Sequence, residues 1–310
     1  MQIKNNFKII TFFVLTLVVT SCEKVVKVDV PEAETLLVID AWVNNKSATQ
    51  TIRLTTTAPV FDGSHTPPAN GASVAIRDLT NGKIFSFIEN SGTGNYTYTP
   101  TATDTLCIAN HHYELSVIYK NNLYTASTLV GRAAKIDTVA FNKINNPGST
   151  VIKGYLPWLF GRDIPKEHNY YWIKSYQNGV FYNQSAVINM CEDAGGGPTT
   201  DSMCFVPPNA YYNVVPYDVP LQLNDVYTVE IYAINKESFE YLMQLKTQLS
   251  NSQAGLFAAT PQNLRTNIIP STATTPRALG WFNMGTLNSK SFVCKDIPLQ
   301  NIYASGYYCP

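Results

Sequence analysis

Apolar and polar residues alternate with period two through much of this chain, and turn residues cut the alternation into short strands. Leu36–Val43 is largely apolar and stops at Asn44-Asn45. Thr49–Thr57 is rich in β-branched residues and sets Ile52 and Leu54 between polar neighbours. Ala72–Asp78 alternates around Val74 and Ile76, ahead of a turn at Asn81-Gly82. Ile84–Ile88 follows, then Asn95–Thr99 with Tyr at every second position. Tyr113–Tyr119 and Leu123–Thr128 flank a hairpin signal at Asn121-Asn122. Pro59–Asn70 holds three prolines and reads as a loop. Short strands at this spacing, without intervening helices, predict an antiparallel β-sandwich over residues 22–132.

The pattern continues from residue 133 to 310, which reads as a second, β-rich domain. Strands are expected at Thr138–Asn142, Val151–Leu156, Tyr170–Gln177, Val180–Tyr182, Val226–Ile234 and Ala278–Met284. One segment changes period. Phe239, Leu242, Met243, Leu245 and Leu249 recur near helical spacing among Lys236, Glu237, Glu240, Lys246 and Gln248, which predicts an amphipathic helix near 236–250. Gly255–Pro276 reads as a loop, and no repeat of 20 to 50 residues is visible.

The N-terminus departs from both patterns. Lys4 and Lys8 precede an apolar run, Ile9–Val19, which ends in Val19-Thr20-Ser21-Cys22. Positive residues, an apolar core, then small residues and Cys make the pattern that a bacterial lipoprotein signal peptidase reads. Residues 1–21 are the expected leader, and the Cys22 thiol would carry a diacylglycerol. Two or three acyl chains, at about 0.8 kcal/mol per buried methylene, anchor a protein stably where one does not. No second stretch approaches the roughly 20 apolar residues that cross a bilayer, so the expected contact with the membrane is lipid alone.

Composition narrows the function. Loss of the leader removes two lysines, leaving 20 basic against 22 acidic residues and a net charge of −2. A chain so balanced offers no basic face for nucleic acid. Aromatics reach 12%, with 19 Tyr, which is too apolar for disorder. Five cysteines remain after Cys22. Cys191 and Cys204 bracket a loop rich in Gly, Pro and Thr, and Cys294 and Cys309 bracket the C-terminal tail. Each pair reads as a local disulfide of an exported protein, and Cys107 as a small buried hydrophobe.

A search for catalytic chemistry finds no G-x-S-x-G elbow, no H-E-x-x-H and no P-loop. No cofactor or metal is implied. His111 and His112 are adjacent on a strand and would point to opposite faces, which suits capped or solvated side chains better than a metal. Glu192, Asp193 and Asp201 could hold a cation, although a solvated acidic loop is the plainer reading. Aromatic clusters remain: Trp158 with Phe160, Tyr170-Tyr171-Trp172, Tyr211-Tyr212, and Tyr303, Tyr307 and Tyr308. Most suit packing in a sheet. Trp158, Tyr211 and Tyr212 are the candidates for a sugar- or peptide-binding face, the last two because Pro207-Pro208 places them in a loop.

The ordered series Val28-Asp29-Val30-Pro31, Leu37-Val38-Ile39, Trp42-Val43, Thr57–Asp62, Gly71–Val74, Gly94-Asn95-Tyr96 and Tyr113–Val117 follows the lipobox. Phe239-Glu240-Tyr241-Leu242, Asn267-Ile268 and Leu279-Gly280-Trp281-Phe282 extend it. Together they resemble a Bacteroidota lipoprotein family of unknown function, often encoded beside TonB-dependent receptors. The resemblance implies an immunoglobulin-like N-terminal domain, attachment to the outer membrane through acylated Cys22, a TonB-dependent receptor as partner, and no catalytic residues. Here Glu23 is followed by Lys24-Val25-Val26, where surface-exported lipoproteins of these bacteria usually carry an acidic cluster. The leading expectation is a non-catalytic accessory or ligand-binding lipoprotein of a nutrient uptake system. A cell-envelope hydrolase without a local motif, either peptidase or glycosidase, and a surface adhesion protein are the alternatives.

Overall fold

Alternation makes strands here because it gives each one a wet face and a dry face, and the two faces then decide how the sheets curl and stack. The computed structural model describes residues 34–58, 66–144, 153–184, 188–193, 204–205, 220–251 and 264–296. The protein is mainly β, with one α-helix among the described residues. The strands of the first half are β1 (Leu37–Asn44), β2 (Gln50–Thr56), β3 (Ser73–Asp78), β4 (Ile84–Asn90), β5 (Asn95–Tyr98), β6 (His112–Tyr119) and β7 (Asn122–Leu129). Then come β8 (Lys135–Ile144), β9 (Gly154–Arg162), β10 (Tyr170–Gln177), β11 (Val180–Phe181), β12 (Asn189–Glu192), β13 (Cys204–Phe205) and β14 (Val226–Ile234). Helix α1 (Lys236–Asn251) follows, and β15 (Ile269–Pro270), β16 (Ala278–Gly285) and β17 (Leu287–Val293) close the described chain.

The strands expected in the first half all form, but in a larger sheet than the sequence suggests. Nine strands lie in the order β15-β7-β6-β3-β4-β5-β2-β1-β16. The sheet is nearly closed: Gly131, just past β7, bridges Gly285 at the end of β16, and Thr286 N–H donates to Gly131 O at 3.2 Å. The inward residues of every second position fill the interior. Ile39, Ile52, Leu54, Ile76, Phe85, Tyr96, Tyr113, Val117 and Phe282 are among them, all essentially inaccessible. Closure removes exposed strand edges, which otherwise invite aggregation. Two of the nine strands, β15 and β16, come from the C-terminal part of the chain. Strand β16 runs parallel to β1 over eight residue pairs, from Leu37–Ala278 to Asn44–Gly285.

The second part pairs β11, β10, β14 and β17 in one sheet, with β12 also on β10, and β13-β9-β8 in another. Ile136, Val139, Phe141 and Leu159 of the smaller sheet pack with Tyr171, Ile173, Tyr227, Val229 and Ile231 of the larger. Strand β17 reads poorly as a strand from sequence, because its Asn288–Ser291 run is polar and exposed. It is held instead by β14 and by its continuity with β16. Only Thr286 separates those two strands, so one extended segment, residues 278–293, serves both sheets. The passage is tight: a Cβ on Gly285 would lie 1.9 Å from Ala233 O. Helix α1 begins at Asn235, whose side chain accepts from Ser238 N–H at 2.8 Å and so satisfies one of the free donors at the helix start.

Thr35–Pro310 form one compact unit. The expected boundary near Arg132 lies where the chain leaves the nine-stranded sheet, but that sheet is completed from beyond it. Residues 22–132 expressed alone would open the edge of β1 and lose Ala278, Phe282 and Met284 from the core. Losing one buried Phe costs about 3–5 kcal/mol by itself, a large part of a domain's stability. The fragment is therefore expected to show no cooperative urea transition. A sharp two-state transition in the fragment would establish residues 22–132 as an independent domain.

Candidate functional site

Three elements meet over the outer face of β1. Asp40 and Trp42 point outward from that strand, since they alternate with the buried Ile39 and Ala41. In register beside Asp40 stand Arg53 on β2 and Trp281 on β16. Helix α1 covers the β16 side with Tyr241, Leu242 and Leu245, and Trp172 arrives from β10. They enclose a groove of about 390 Å³, whose lining also includes Val38, Thr55, Thr66 and Ile188.

Its walls are aromatic. Trp42 and Trp172 meet edge to face, with ring centres 5.1 Å apart, and Tyr241 lies 6.3 Å from Trp42. Behind Tyr241, the Trp281 ring is stacked at 4.6 Å. Such rings bring large apolar area with little side-chain entropy to lose on binding. The charges sit at the rim and beneath. Asp40 reaches solvent but lies between protein walls, and this desolvation raises its pKa against the opposing pull of Trp42, Lys174 and Arg53. Glu230 is buried and fully engaged: Lys46 pairs with it, Tyr176 hydroxyl donates at 2.9 Å and Ser289 hydroxyl at 3.4 Å. Beside it, Lys174 Nζ lies 3.9 Å from the Trp172 ring centre and 5.0 Å from that of Tyr232, and makes no hydrogen bond to the described residues. Cation–π attraction stabilises the ammonium. Desolvation outweighs it and pulls the Lys174 pKa down to about 8, with Glu230 and Asp40 pulling back up.

The residues singled out from sequence are placed as follows. Trp158 is half-buried on β9 opposite Ala140 and takes no part in the groove. Tyr211, Tyr212, Cys309 and the lipidation candidate Cys22 lie outside the described residues. Of the cluster Tyr170-Tyr171-Trp172, alternation sends Trp172 to the groove and buries Tyr171 on the opposite face. Cys191 is buried on β12, and the side chain of Cys204 lies outside the described residues. Cys294 is buried and forms no disulfide with another described residue, and its expected partner Cys309 lies outside them. Cys107 is buried as expected but sits in a loop with left-handed backbone, φ 56°, and its thiol donates to Val43 O at 3.4 Å. Burial raises its pKa, which makes it unreactive. His111 caps a turn through Asp78 Oδ2 at 2.8 Å, and His112 is exposed on β6. Of the acidic loop, Asp193 is fully buried rather than solvated, Glu192 is half-buried, and Asp201 lies outside the described residues.

Asp40, Arg53, Trp42 and Tyr241 were missed as site residues. Each is ordinary in its own segment, and only the pairing of β1 with a strand 240 residues away brings them under one helix.

The chain belongs to the family described as "Domain of unknown function (DUF4249)", whose profile matches residues 23–291. No curated protein matches the chain. The family resemblance read from the sequence thus holds at the level of a family of unknown function.

The Lys174 environment has a measurable consequence. Its folded pKa is below the unfolded value of about 10.4, so the unfolded chain holds the extra proton between roughly pH 8 and 10.4. Stability from this group therefore rises with pH across that window, and the burial cost is fully present below pH 8. Lys174→Met should stabilise the protein at pH 7, by roughly 3 kcal/mol at most, and the gain should shrink toward pH 10. Urea unfolding of both proteins at pH 7, 8, 9 and 10 would show it; a gap independent of pH would refute the assignment.

Proposed function

We propose that this protein is a non-catalytic, lipid-anchored ligand-binding lipoprotein of the outer membrane, working beside a TonB-dependent receptor in nutrient uptake. The observation that carries the binding half is the groove on β1: aromatic walls with a carboxylate and a guanidinium at the rim. That combination suits a ligand with a flat apolar face edged by hydrogen-bonding groups, such as an oligosaccharide or an aromatic peptide. Asp40 is the one carboxylate among its described lining residues. Glycoside hydrolysis in its usual forms needs two, roughly 5–9.5 Å apart, and nearby Glu230 is tied up by Lys46 and Tyr176. The groove therefore favours capture over the hydrolase reading.

The anchoring half rests on the leader and Cys22, and the uptake partner on the family's resemblance to lipoproteins encoded beside such receptors. The family match starts at residue 23, one position beyond Cys22. The immunoglobulin-like reading of the first half belongs to the same proposal, and is supported by its seven short antiparallel strands.

Two measurements test this reading. Cells fed a fatty-acid analogue should label the wild-type chain and not Cys22→Ala; equal labelling would remove the anchor. Oligosaccharide and oligopeptide pools should perturb tryptophan fluorescence of the mature protein. Trp172→Ala should weaken that binding about tenfold, the worth of one lost aromatic contact of about 1.4 kcal/mol. Turnover of either pool, lost in Asp40→Asn, would replace the binding reading with the hydrolase.

A further inference from the structure

The outer face of β6 and β7 carries apolar side chains where a sheet facing water usually carries polar ones. Ile118 and Leu123 stand opposite each other across the β6–β7 pair, and both are exposed. Ile118 also faces Ser73 on β3, and Val74 faces Phe87, so the next step sets Ser73 toward Ile88 on β4. On the other flank Ile269 of β15 lies beside Thr125, diagonal to Leu123. Ile88 and Ile269 are 67% and 63% exposed. The adjacent row, Thr125, Ser116, Ala75 and Ser86, is small and uncharged. Charge begins only in the row after it, where Glu114 pairs with Arg77. Contiguous apolar patches, rather than single exposed residues, mark contact surfaces.

This apolar part of the face lies at one end of the sheet. Strands β6 and β7 turn over there at Lys120-Asn121, both with left-handed backbone, φ 48° and 62°. The chain also enters the fold at that end. Leu37 pairs with Thr56, and Thr56 N–H donates to Pro67 O at 2.9 Å. From Pro67 the chain runs past Gly71 into β3, whose Ser73 faces Ile118. Eleven residues, Glu23–Ala33, separate Cys22 from Glu34 and reach at most about 40 Å. A lipid on Cys22 therefore tethers the fold to the membrane by the end that bears the patch.

Four apolar side chains are far fewer than the roughly 20–30 residues a side that a stable protein interface uses. A bilayer asks for less, because the anchor already keeps the surface at high local concentration and a weak contact is then enough. Lys120 fits the same partner. It is exposed at the turn, and its Nζ lies 5.3 Å from the Tyr119 ring centre, a pairing of lysine and aromatic suited to the headgroup level.

We propose that this end of the nine-stranded sheet, with Ile88, Ile118, Leu123 and Ile269, seats on the lipid surface that holds Cys22. The seating presupposes the Cys22 anchor proposed above. Strands β6 and β1 are third and eighth in the nine-strand order, so the aromatic groove on β1 lies on another side and stays open to its ligand.

Acylated protein in vesicles of phosphatidylcholine brominated along its acyl chains tests this, because bromine quenches indole fluorescence only at close range. Ile118→Trp should add a signal that brominated lipid quenches and ordinary phosphatidylcholine does not. Ser127→Trp, on the same face of β7 about 13 Å beyond Leu123, should add one that neither lipid alters. Both positions are exposed, so the new ring leaves the core intact. Adding Ile88→Ser and Ile269→Ser should abolish the quenching at position 118 while the protein still floats with the vesicles. Flotation separates the seating from the anchor. If the wild type floats and Cys22→Ala does not, yet Ile118→Trp stays unquenched or Ser127→Trp is quenched equally, the seating is wrong and the anchor stands. If the wild type also stays off the vesicles, the anchor fails and takes the seating with it. An Ile118→Trp emission already blue-shifted without lipid, in a particle of twice the monomer mass, would give the face to a second copy and overturn the proposal.

Discussion

A chain of buried hydrogen bonds between Trp281, Ser238, Asn283, Tyr232 and Val43 holds the architecture together. The Trp281 indole N–H donates to Ser238 Oγ at 2.7 Å, and Ser238 donates to Asn283 Oδ1 at 3.0 Å. Asn283 Nδ2 donates to the Tyr232 hydroxyl at 3.1 Å, which donates in turn to Val43 O at 2.8 Å. Every side chain in it is at most 2% exposed. Four elements contribute: β16, α1, β14 and β1. The roles are consistent, because each hydroxyl accepts once and has a proton to give; that of Tyr232 is shared between Val43 O and Asn283 O, the latter at 3.1 Å. A network satisfied at every member specifies one arrangement, whereas a broken one leaves a desolvated group costing about 1–3 kcal/mol. The nearly closed sheet, the second sheet and the helix are thereby fixed to one another at a single spot.

The groove follows from that fixation. Trp281 is held by Ser238, so its ring cannot turn away, and Tyr241, one helical turn further along α1, stacks on it. Tyr232 is tied to the backbone of β1, and its ring forms one side of the cage around Lys174, with Trp172 as the other. Trp42 packs against Trp172, Tyr232 and Tyr241 at once. The aromatic walls are therefore supported from behind by buried polar contacts, which is what a preorganised binding surface requires.

Sequence patterning located the strands because alternation is local: Tyr170–Gln177 and Val226–Ile234 match to the residue, and α1 to within one. It missed β17, whose exposed polar face hides a strand set by its partners, and the short strands β12, β13 and β15, the last two only two residues long. The larger gap was the pairing of β1 with β16. Both segments read correctly as strands, but nothing within either encodes a parallel partner so distant in sequence. The candidate site inherits the same blindness. Asp40 and Arg53 are polar residues on the outer face of a sheet, an ordinary pattern, and their meaning depends on a helix laid across them. The reverse held at Asp193, which reads as part of a solvated acidic loop and is itself buried.

The run Tyr170-Tyr171-Trp172 shows how one strand serves two surroundings. Alternation along β10 sends Trp172 to the aromatic groove and Tyr171 to Asp163, so adjacent residues serve opposite faces of the same strand. Strand β12 pairs with β10 through Tyr171–Cys191 and Trp172–Met190, so the register that buries the Tyr171 ring also fixes Trp172 at the groove. A one-residue slip of that pairing would exchange the two faces, which is why the groove wall depends on the buried side of the strand.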